Sequence, residues 1–457
     1  MRKIRFLIAM LAAKASSLGL KLLGRNASYF PGKIALAIDK QFLGGLTQPG
    51  TVIAVTGTNG KTTVSNLINS VLQRNGYRVT NNSLGSNVQA GIATALLDDA
   101  TLTGKPKKDI AVLEVDERSS LLIYPYIKPD YLICNNIMRD SLARNAHTEF
   151  ISYIINKALP SSTKVILNAD DLVCATLAPH NQERVYFGLD IWKEHEETPL
   201  YLRDIVYCPV CGHLLEAEYI RYNHIGRLHC SQCDFRSPTP DFVITAIDRE
   251  AETFTVSQAG VEQSYHLIND NEVNLYNFCG LIALLTTMGF TYEQISAGFE
   301  KSKIVKTRYD QVKSGELTIT MQLSKGQNPT ACARCFSYVS KCPGDQKAII
   351  FVGDDFEQSE SPCWFYDSNY SYLKHDTINQ IIFSGPRCKD QFLRAQLAGV
   401  PTDKIKLVDS SVAGAEVLDI SISKDIYVLY GPYMVKQANV VKEKLMKLGQ
   451  EVCGNDD

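Results

Sequence analysis

Thr56–Gly–Thr–Asn–Gly–Lys–Thr–Thr63 packs two glycines, one lysine and a run of threonines into a single short stretch. Glycines let backbone N–H groups close on phosphate oxygens, and a helix starting at the lysine adds partial positive charge there. Lys61 has the reach for β- and γ-phosphates, and the Thr62 hydroxyl suits Mg²⁺. Gly57, Thr58, Asn59, Gly60, Lys61, Thr62 and Thr63 thus form a candidate cradle for ATP. The loop departs from the common G-x-x-x-x-G-K-[ST] spacing: Val55 stands where the first glycine belongs, and Gly57 comes two residues later.

A second cluster is built from sulfur. Cys208–Pro–Val–Cys211 and Cys230–Ser–Gln–Cys233 give C-x₂-C-x₁₈-C-x₂-C. Each pair can set two thiolates on one turn, and two such turns make a tetrahedral cage for Zn²⁺. With Cys208, Cys211, Cys230 and Cys233 all bound, the metal keeps no open position, so its expected role is structural. It would hold together an insert, residues 204–240, too small for a core of its own. Tyr219, Ile220, Tyr222 and Leu228 between the pairs suit a short hairpin. His213, His224 and His229 read as surface histidines. Cys332, Cys335 and Cys342 lack a fourth partner and read as free thiols.

The elements that must position these groups are legible in outline. Val52–Val55 is an apolar, β-branched run, and Val64, Leu67, Ile68, Val71 and Leu72 follow at helical spacing, which predicts strand, glycine loop and amphipathic helix. Further strands are expected from near Asp109 to Leu113, over Tyr131–Cys134, and ending at Leu167. Asn274–Leu–Tyr–Asn277 opens a helical run through Met288 that stops at Gly289. Beyond about residue 304, candidate strands Ala348–Val352, Gln380–Phe383, Lys404–Val408 and Ile426–Tyr430 alternate with helical stretches. Met434, Ala438, Val441, Leu445 and Leu448 mark a C-terminal amphipathic helix. The expected organisation is a short leader (1–48), an ATP-binding domain (49–303) carrying the cysteine insert, and a C-terminal α/β domain (304–457).

The 457 residues carry a net charge of −2 and 45% hydrophobic side chains, which excludes global attraction to nucleic acid or anionic lipid and fits an ordinary globular protein. An ATP-using chain is expected in the cytoplasm, where its thirteen cysteines should be mostly reduced. In the leader, Arg2, Lys3 and Arg5 precede the apolar Phe6–Ala13, and Lys14 interrupts before a span of roughly 18 residues is reached. This predicts a cationic amphipathic helix, either packed on the protein or resting on the inner membrane surface.

The compact loop Thr56–Thr63 resembles that of the Mur ligases and folylpolyglutamate synthases, which join a carboxylate to an amine using ATP. Three further segments carry the resemblance. Leu113–Glu–Val–Asp–Glu117 looks like the family's second acidic Mg²⁺ site, with Glu114 as the ligand beside Thr62. Asn135–Asn–Ile–Met–Arg–Asp140 resembles the T-N-x-x-x-D segment, and Leu167–Asn–Ala–Asp–Asp171 resembles the nucleotide-contacting N-A-D-D. All end strands, where open α/β sheets bind ligands. The resemblance implies an α/β fold: a Mur ligase-like central ATPase domain with a parallel-rich sheet and inserted zinc ribbon, plus a C-terminal α/β domain. It also implies nucleotide contacts from Asn135, Asn168, Asp170 and Arg308.

Only 55 residues precede the loop, so the UDP-sugar domain of the amino-acid-adding ligases is expected to be missing or vestigial. That feature, the ribbon, the leader Gly24–Arg–Asn–Ala–Ser–Tyr–Phe–Pro–Gly–Lys33 and Arg139–Asp140 resemble one branch, the MurT synthetase subunits of lipid II isoglutaminyl synthase. The activity implied is ATP-dependent amidation of the α-carboxyl of D-glutamate in the lipid II stem peptide, with Lys61 and Glu114 as catalytic groups. Ammonia would come from a partner, because none of the cysteines has glycines two residues to either side, as a glutaminase nucleophile needs. In this branch the partner is GatD, a glutaminase with a Cys–His dyad. Cys363–Trp–Phe–Tyr–Asp367 resembles the segment whose aspartate completes that dyad, which makes Asp367 a catalytic candidate. Lys325–Gly–Gln–Asn–Pro329 resembles the family's K-N-P with two residues added, Gly385–Pro–Arg387 its G-x-R, and Gly353–Asp–Asp355 its acidic run, while Glu357–Ser361 departs from it. The competing readings are a ligase that adds an amino acid, and a non-catalytic ATP- and zinc-binding scaffold.

Overall fold

The computed structural model describes residues 2–83, 86–139, 147–190, 204–300, 309–324, 328–353 and 362–453. Arg308, Asp140, Lys325–Gln327 and 354–361 lie outside them. The chain divides into two compact units, residues 1–138 with 148–304, and residues 139–147 with 305–457.

The first unit is built on a nine-stranded sheet. Its strands are β1 (Thr51–Thr56), β2 (Val79–Asn81), β3 (Ile110–Glu114), β4 (Tyr131–Cys134), β5 (Lys164–Asn168) and β6 (Arg184–Leu189), with β9 (Phe242–Asp248), β10 (Thr253–Gln258) and β11 (Val261–His266). Between β6 and β9 the ribbon hairpin, β7 (Leu215–Tyr222) and β8 (Ile225–Cys230), forms its own two-stranded sheet. The order is β11-β10-β9-β6-β5-β4-β1-β3-β2. Every pairing from β2 across to β9 is parallel, and β9–β10–β11 close one edge as an antiparallel meander.

A parallel sheet covered on both faces needs apolar residues at consecutive positions, and Val52–Val55 supplies them. Ile53 and Val55 face a core shared with α3 (Lys61–Arg74) and, later in the chain, Glu272–Thr287. Val52 and Ala54 face a second core, shared with α1 (Arg2–Leu22), α2 (Phe30–Ile38), α4 (Gln89–Asp98) and α5 (Thr148–Ala158). The Glu272–Thr287 helix is α6; its residues from Leu275 to Leu285 are all buried, as a helix lying wholly inside the fold requires. The leader is therefore part of this unit: Ala9, Met10 and Ala13 of α1 are fully buried, and Phe6 stacks on Phe42 with ring centroids 5.2 Å apart.

The second unit carries a six-stranded sheet in the order β12-β13-β17-β14-β15-β16. These are β12 (Tyr309–Ser314), β13 (Leu317–Leu323), β14 (Lys347–Val352), β15 (Ile378–Ser384), β16 (Ile405–Val408) and β17 (Asp425–Tyr430). Only the β12–β13 pair is antiparallel. Helix α7 (Pro329–Lys341) covers one face, where Cys332 and Cys335 are ordinary core thiols beside Phe336. Along that face runs α8 (Cys388–Leu397), and on the other α9 (Val435–Cys453) buries Ala438, Val441 and Leu445.

Helices α2 and α4 cross at a point where only glycine fits. Gly32 N–H donates to Thr94 Oγ1 at 2.8 Å, and a Cβ at Gly32 would stand 1.9 Å from the Ala90 carbonyl oxygen. Gly32→Ala must push the helices apart, so it should cost about 1–3 kcal/mol of stability, measured by denaturant melts; an unchanged midpoint would show that this crossing is not tight.

Candidate functional site

Strand register brings the functional loops together. Val55 of β1 pairs across to Glu114 of β3, and Thr56 to Cys134 of β4. The chain therefore leaves all three strands side by side at their C-terminal ends, with Gly57–Gly60, Val115–Glu117 and Asn135–Met138 as neighbours. Gly57 and Gly60 have φ of +121° and +89°, a region open to glycine at little cost. Space excludes a side chain as well: a Cβ on Gly60 would lie 2.3 Å from Asn277 Oδ1.

The loop is fixed from both sides. Thr58 N–H donates to the Asn136 carbonyl at 2.8 Å, and Asn59 N–H to Asn136 Oδ1 at 2.9 Å. The Thr58 hydroxyl is held by Met138, whose N–H donates to it at 2.8 Å. Helix α3 begins at Lys61 with Gly60 as its cap residue, and no side chain caps it. The N–H groups of its first turn, at Lys61, Thr62 and Thr63, have no partner within the helix, and this is the arrangement that receives anions.

Lys61 is the electrostatic centre. Its ammonium donates to the Gly57 carbonyl oxygen and lies 2.9 Å from Glu117 Oε1, with side chains 11% and 1% exposed. Burial works against the charge on Lys61, but Glu117, with Glu114 and Asp116 behind it, more than compensates and raises its proton affinity. Glu117 Oε1 also accepts from Gly57 N–H at 3.1 Å. Glu117 lies three residues after Glu114 in the same acidic segment, and no local signal in the sequence separates the two. Glu114 lies beside the helix start: its Oε2 accepts from the Thr62 hydroxyl at 2.8 Å, and its Oε1 from Asn87 at 3.3 Å. A carboxylate touching the loop's threonine hydroxyl has the donor chemistry of a Mg²⁺ site.

Asn135 is fully buried and donates through Nδ2 to Asn277 Oδ1 at 2.6 Å, while its own Oδ1 has no hydrogen-bond partner among the described residues. An orphaned buried amide oxygen beside Gly60 fits a ligand group in that cradle. Asn277, in the second turn of α6, is a further residue at the site that no sequence motif marks.

The N-A-D-D segment has a different occupation. Asn168 Nδ2 donates to the Asn135 carbonyl at 2.9 Å and so steadies the site from beneath. Asp170, expected at the nucleotide, uses both oxygens inside the fold: Oδ2 accepts from Leu189 N–H at 3.0 Å and Tyr276 O–H at 2.8 Å, and Oδ1 from Arg227 at 3.3 Å. Asp171 accepts from Ile137 N–H at 2.7 Å and Cys174 N–H at 3.0 Å. Arg227 belongs to the ribbon hairpin, whose Gly226 N–H also donates to the Asp170 carbonyl at 2.6 Å.

His224 corrects the expectation of surface histidines. It is wholly buried at the hairpin turn, with Nε2 3.2 Å from Asp171 Oδ1 and Nδ1 3.1 Å from Asp204 Oδ2. Burial alone would lower its proton affinity; the two carboxylates override this and lift its pKa to about 10. His213 is exposed and His229 half-buried.

The four cysteines meet as the spacing predicts. Cys208 and Cys233 sulfurs lie 3.5 Å apart, Cys211 and Cys230 3.4 Å apart, and all four within 4.8 Å. Bonds of about 2.3 Å to a tetrahedral Zn²⁺ need sulfurs about 3.8 Å apart, so the cage fits. Val210 N–H donates to Cys208 Sγ and Gln232 N–H to Cys230 Sγ, each at 3.4 Å, repeating one turn geometry in both halves. The thiols are not equivalent in acidity. Burial opposes ionisation of Cys208, yet backbone N–H groups bring it down to about 7. Cys233 receives the Phe235 N–H, yet burial and neighbouring sulfurs push it up to about 12. Four sulfurs this close supply the donor set of a structural metal site.

Asp367 lies in the second unit, half-buried at the end of the one-turn helix Trp364–Asp367, with Oδ1 3.8 Å from Arg139. Trp364 and Phe365 anchor that turn in the core, and Arg394 Nε donates to the Phe365 carbonyl at 3.2 Å.

Residues 55–203 match the family model of the Mur ligase middle domain, and residues 325–431 that of the MurT ligase C-terminal. A pseudomurein peptide ligase type C from Methanothermus fervidus superposes with a TM-score of 0.65 at 19% identity, covering 89% of this chain and 81% of that one. MurF ligase from Thermotoga maritima in complex with ADP superposes at 0.56 with 15% identity, covering 92% and 84%. The fold is that of the Mur ligases. The chain is 30% identical over 414 residues to the MurT subunit of lipid II isoglutaminyl synthase (glutamine-hydrolyzing) from Staphylococcus aureus (strain COL), covering 90% of this chain and 91% of that one. The corresponding subunit of Streptococcus pneumoniae (strain ATCC BAA-255 / R6) is 28% identical over 429 residues, covering 92% and 93%. This chain belongs to the MurT family.

Two outcomes follow from the ribbon. A folded His224 keeps its proton to about pH 10, an unfolded one to about 6.5. The stabilisation is therefore complete below about pH 6.5 and lost as pH rises toward 10. His224→Gln should lose on the order of 3 kcal/mol at pH 7 and flatten that decline in thermal melts; an unaltered pH profile would remove His224 from it. Elemental analysis should find one zinc per chain, lost in Cys211→Ser; metal retained in that variant would contradict the four-sulfur cage.

Proposed function

We propose that this chain is the ATP-using subunit of a cytoplasmic, glutamine-dependent synthase that amidates the α-carboxyl of D-glutamate in the lipid II stem peptide. The observation that carries this reading is the Lys61–Glu117–Gly57 cluster at the sheet's C-terminal edge, in a chain similar to MurT subunits along nine-tenths of its length.

ATP seats its phosphates on the first-turn N–H groups of α3, and Lys61 leaves Glu117 to follow the β- and γ-oxygens. A peptide carboxylate oxygen attacks the γ-phosphorus, ADP departs, and an acyl phosphate forms. Ammonia attacks the acyl carbon, loses a proton, and phosphate leaves with one of the original carboxylate oxygens. The chain's part is positioning and charge neutralisation. Thr62 and Glu114 would hold Mg²⁺, which neutralises phosphate charge, and the four cysteines a structural Zn²⁺. Asn135 and Arg308 complete the nucleotide contacts in this reading.

Ammonia at neutral pH is mostly ammonium, so a separate GatD-type glutaminase is the proposed source. Asp367 would orient the partner's catalytic histidine and stabilise its charged form. Support for this is a carboxylate held on a core-anchored turn beside the exposed Tyr366.

The test uses purified complex, lipid II, ATP and Mg²⁺, with glutamine or ammonium as donor and amidated lipid as readout. Lys61→Ala should abolish product from either donor, by at least about a thousandfold. Asp367→Asn should cut the glutamine-driven rate by about a hundredfold or more while ammonium-driven amidation persists. Equal loss with both donors would remove Asp367 from the glutaminase site. Amino-acid addition in place of amidation would overturn the reaction itself.

A further inference from the structure

Helix α1 has two apolar faces, and the fold covers only one. Ala9, Met10, Ala13 and Ser17 are buried, and the helix packs against α2, α4 and the turn Phe42–Gly45. Polar ties fix that orientation: Lys14 Nζ donates to the Leu97 carbonyl at 2.6 Å, Ser17 Oγ to Asp98 Oδ1 at 2.9 Å, and Lys21 pairs with Asp98 at 2.6 Å. Ile4, Leu7, Leu11, Leu18 and Leu22 recur at three- and four-residue steps (Ala15 fills the remaining one), so they form one stripe along the opposite side. All five are exposed, from 43% at Leu7 to 79% at Leu22. A soluble surface seldom presents so long an aliphatic stripe without a use.

Charge identifies what covers it. Residues 1–38 contain Arg2, Lys3, Arg5, Lys14, Lys21, Arg25 and Lys33 and no aspartate or glutamate. Lys14 and Lys21 tie the helix down, while Lys3, Arg5, Arg25 and Lys33 are exposed. Exposed Tyr29 and Phe30 follow the helix, side chains suited to a headgroup boundary. A second copy of the same surface would bring like charges together with no acid in this segment to pair them. No helix among the described residues is long and apolar enough to cross a membrane, so the stripe can lie on a bilayer but not traverse it.

We infer that the outward stripe of α1 is a docking surface for an anionic phospholipid bilayer, lying in the interface with its leucines among the upper acyl chains and Lys3, Arg5 and Arg25 at the headgroups. This rests on the proposed reaction in one respect: a lipid-linked peptide requires an enzyme that works at the bilayer surface. The amphipathic stripe itself stands without it.

Sedimentation of the full chain with vesicles, without nucleotide or lipid II, tests the inference separately from catalysis. Binding to phosphatidylglycerol/phosphatidylcholine vesicles should exceed binding to pure phosphatidylcholine by about tenfold or more at 0.1 M salt. It should fall in 1 M salt, where screening shortens the Debye length to about 3 Å. Lys3→Gln and Arg5→Gln should each weaken it about fivefold. The triple variant Leu7→Gln/Leu11→Gln/Leu18→Gln, all outward positions, should lose at least about tenfold while keeping its melting temperature and its amidation of a soluble stem-peptide analogue. Equal sedimentation with both vesicle types, or full binding by the triple variant, would overturn the inference. A concentration-dependent dimer abolished by the same leucine changes would also overturn it, since the stripe would then be a contact between chains. A chain that amidates the soluble analogue yet ignores vesicles refutes the docking surface and leaves the reaction standing.

Discussion

A buried ammonium, Lys61, held between the Gly57 carbonyl and Glu117, is the interaction on which the rest of the first unit depends. A charge there is tolerable only because a carboxylate lies beside it, and in the proposed reaction phosphate oxygens compete for it. Parallel register makes the meeting possible. Strand β1 lies between β3 and β4, so the loop carrying Lys61, the turn carrying Glu117 and the segment carrying Asn135 leave the sheet next to one another. A register slip in any of the three strands would separate the ammonium from its partner.

The ribbon is fastened to this assembly rather than appended to it. Asp170 and Asp171 follow β5 directly, and their carboxylates receive Arg227 and His224 from the hairpin while Asp171 also fixes Ile137 beside the loop. Buried charges of this kind are costly when one partner is missing. The cysteine cage therefore secures more than itself: it fixes a hairpin whose cations neutralise acids directly behind the candidate nucleotide site. Such contacts explain how an insert of this size can sit within the first unit and still be part of its mechanics.

Much of this was readable from sequence because the relevant signals are local. An apolar β-branched run, a glycine loop and a helical repeat lie within two dozen residues of one another, and C-x₂-C pairs declare their own geometry. What sequence left obscure depends on distant contacts. Glu114 and Glu117 stand three residues apart in one segment, and only the short turn at Glu117–Ser119 decides which of them meets Lys61. His224 reads like any polar turn residue until Asp171, more than fifty positions earlier, is folded against it. Asp170 looked like a ligand contact because its motif ends a strand, yet its carboxylate faces the ribbon. The antiparallel meander β9–β11 carries alternating apolar residues without a turn motif strong enough to separate it from the helices around it.

The chemical core of this account is that a peptide carboxylate becomes an acyl phosphate before nitrogen arrives. Lipid II carrying ¹⁸O in the D-glutamate α-carboxyl, turned over by the complex with ATP and ammonium, tests it by mass analysis of the products. The account requires one ¹⁸O to emerge in inorganic phosphate for each amide formed. Label found in AMP, or none found in phosphate while amide accumulates, would contradict it.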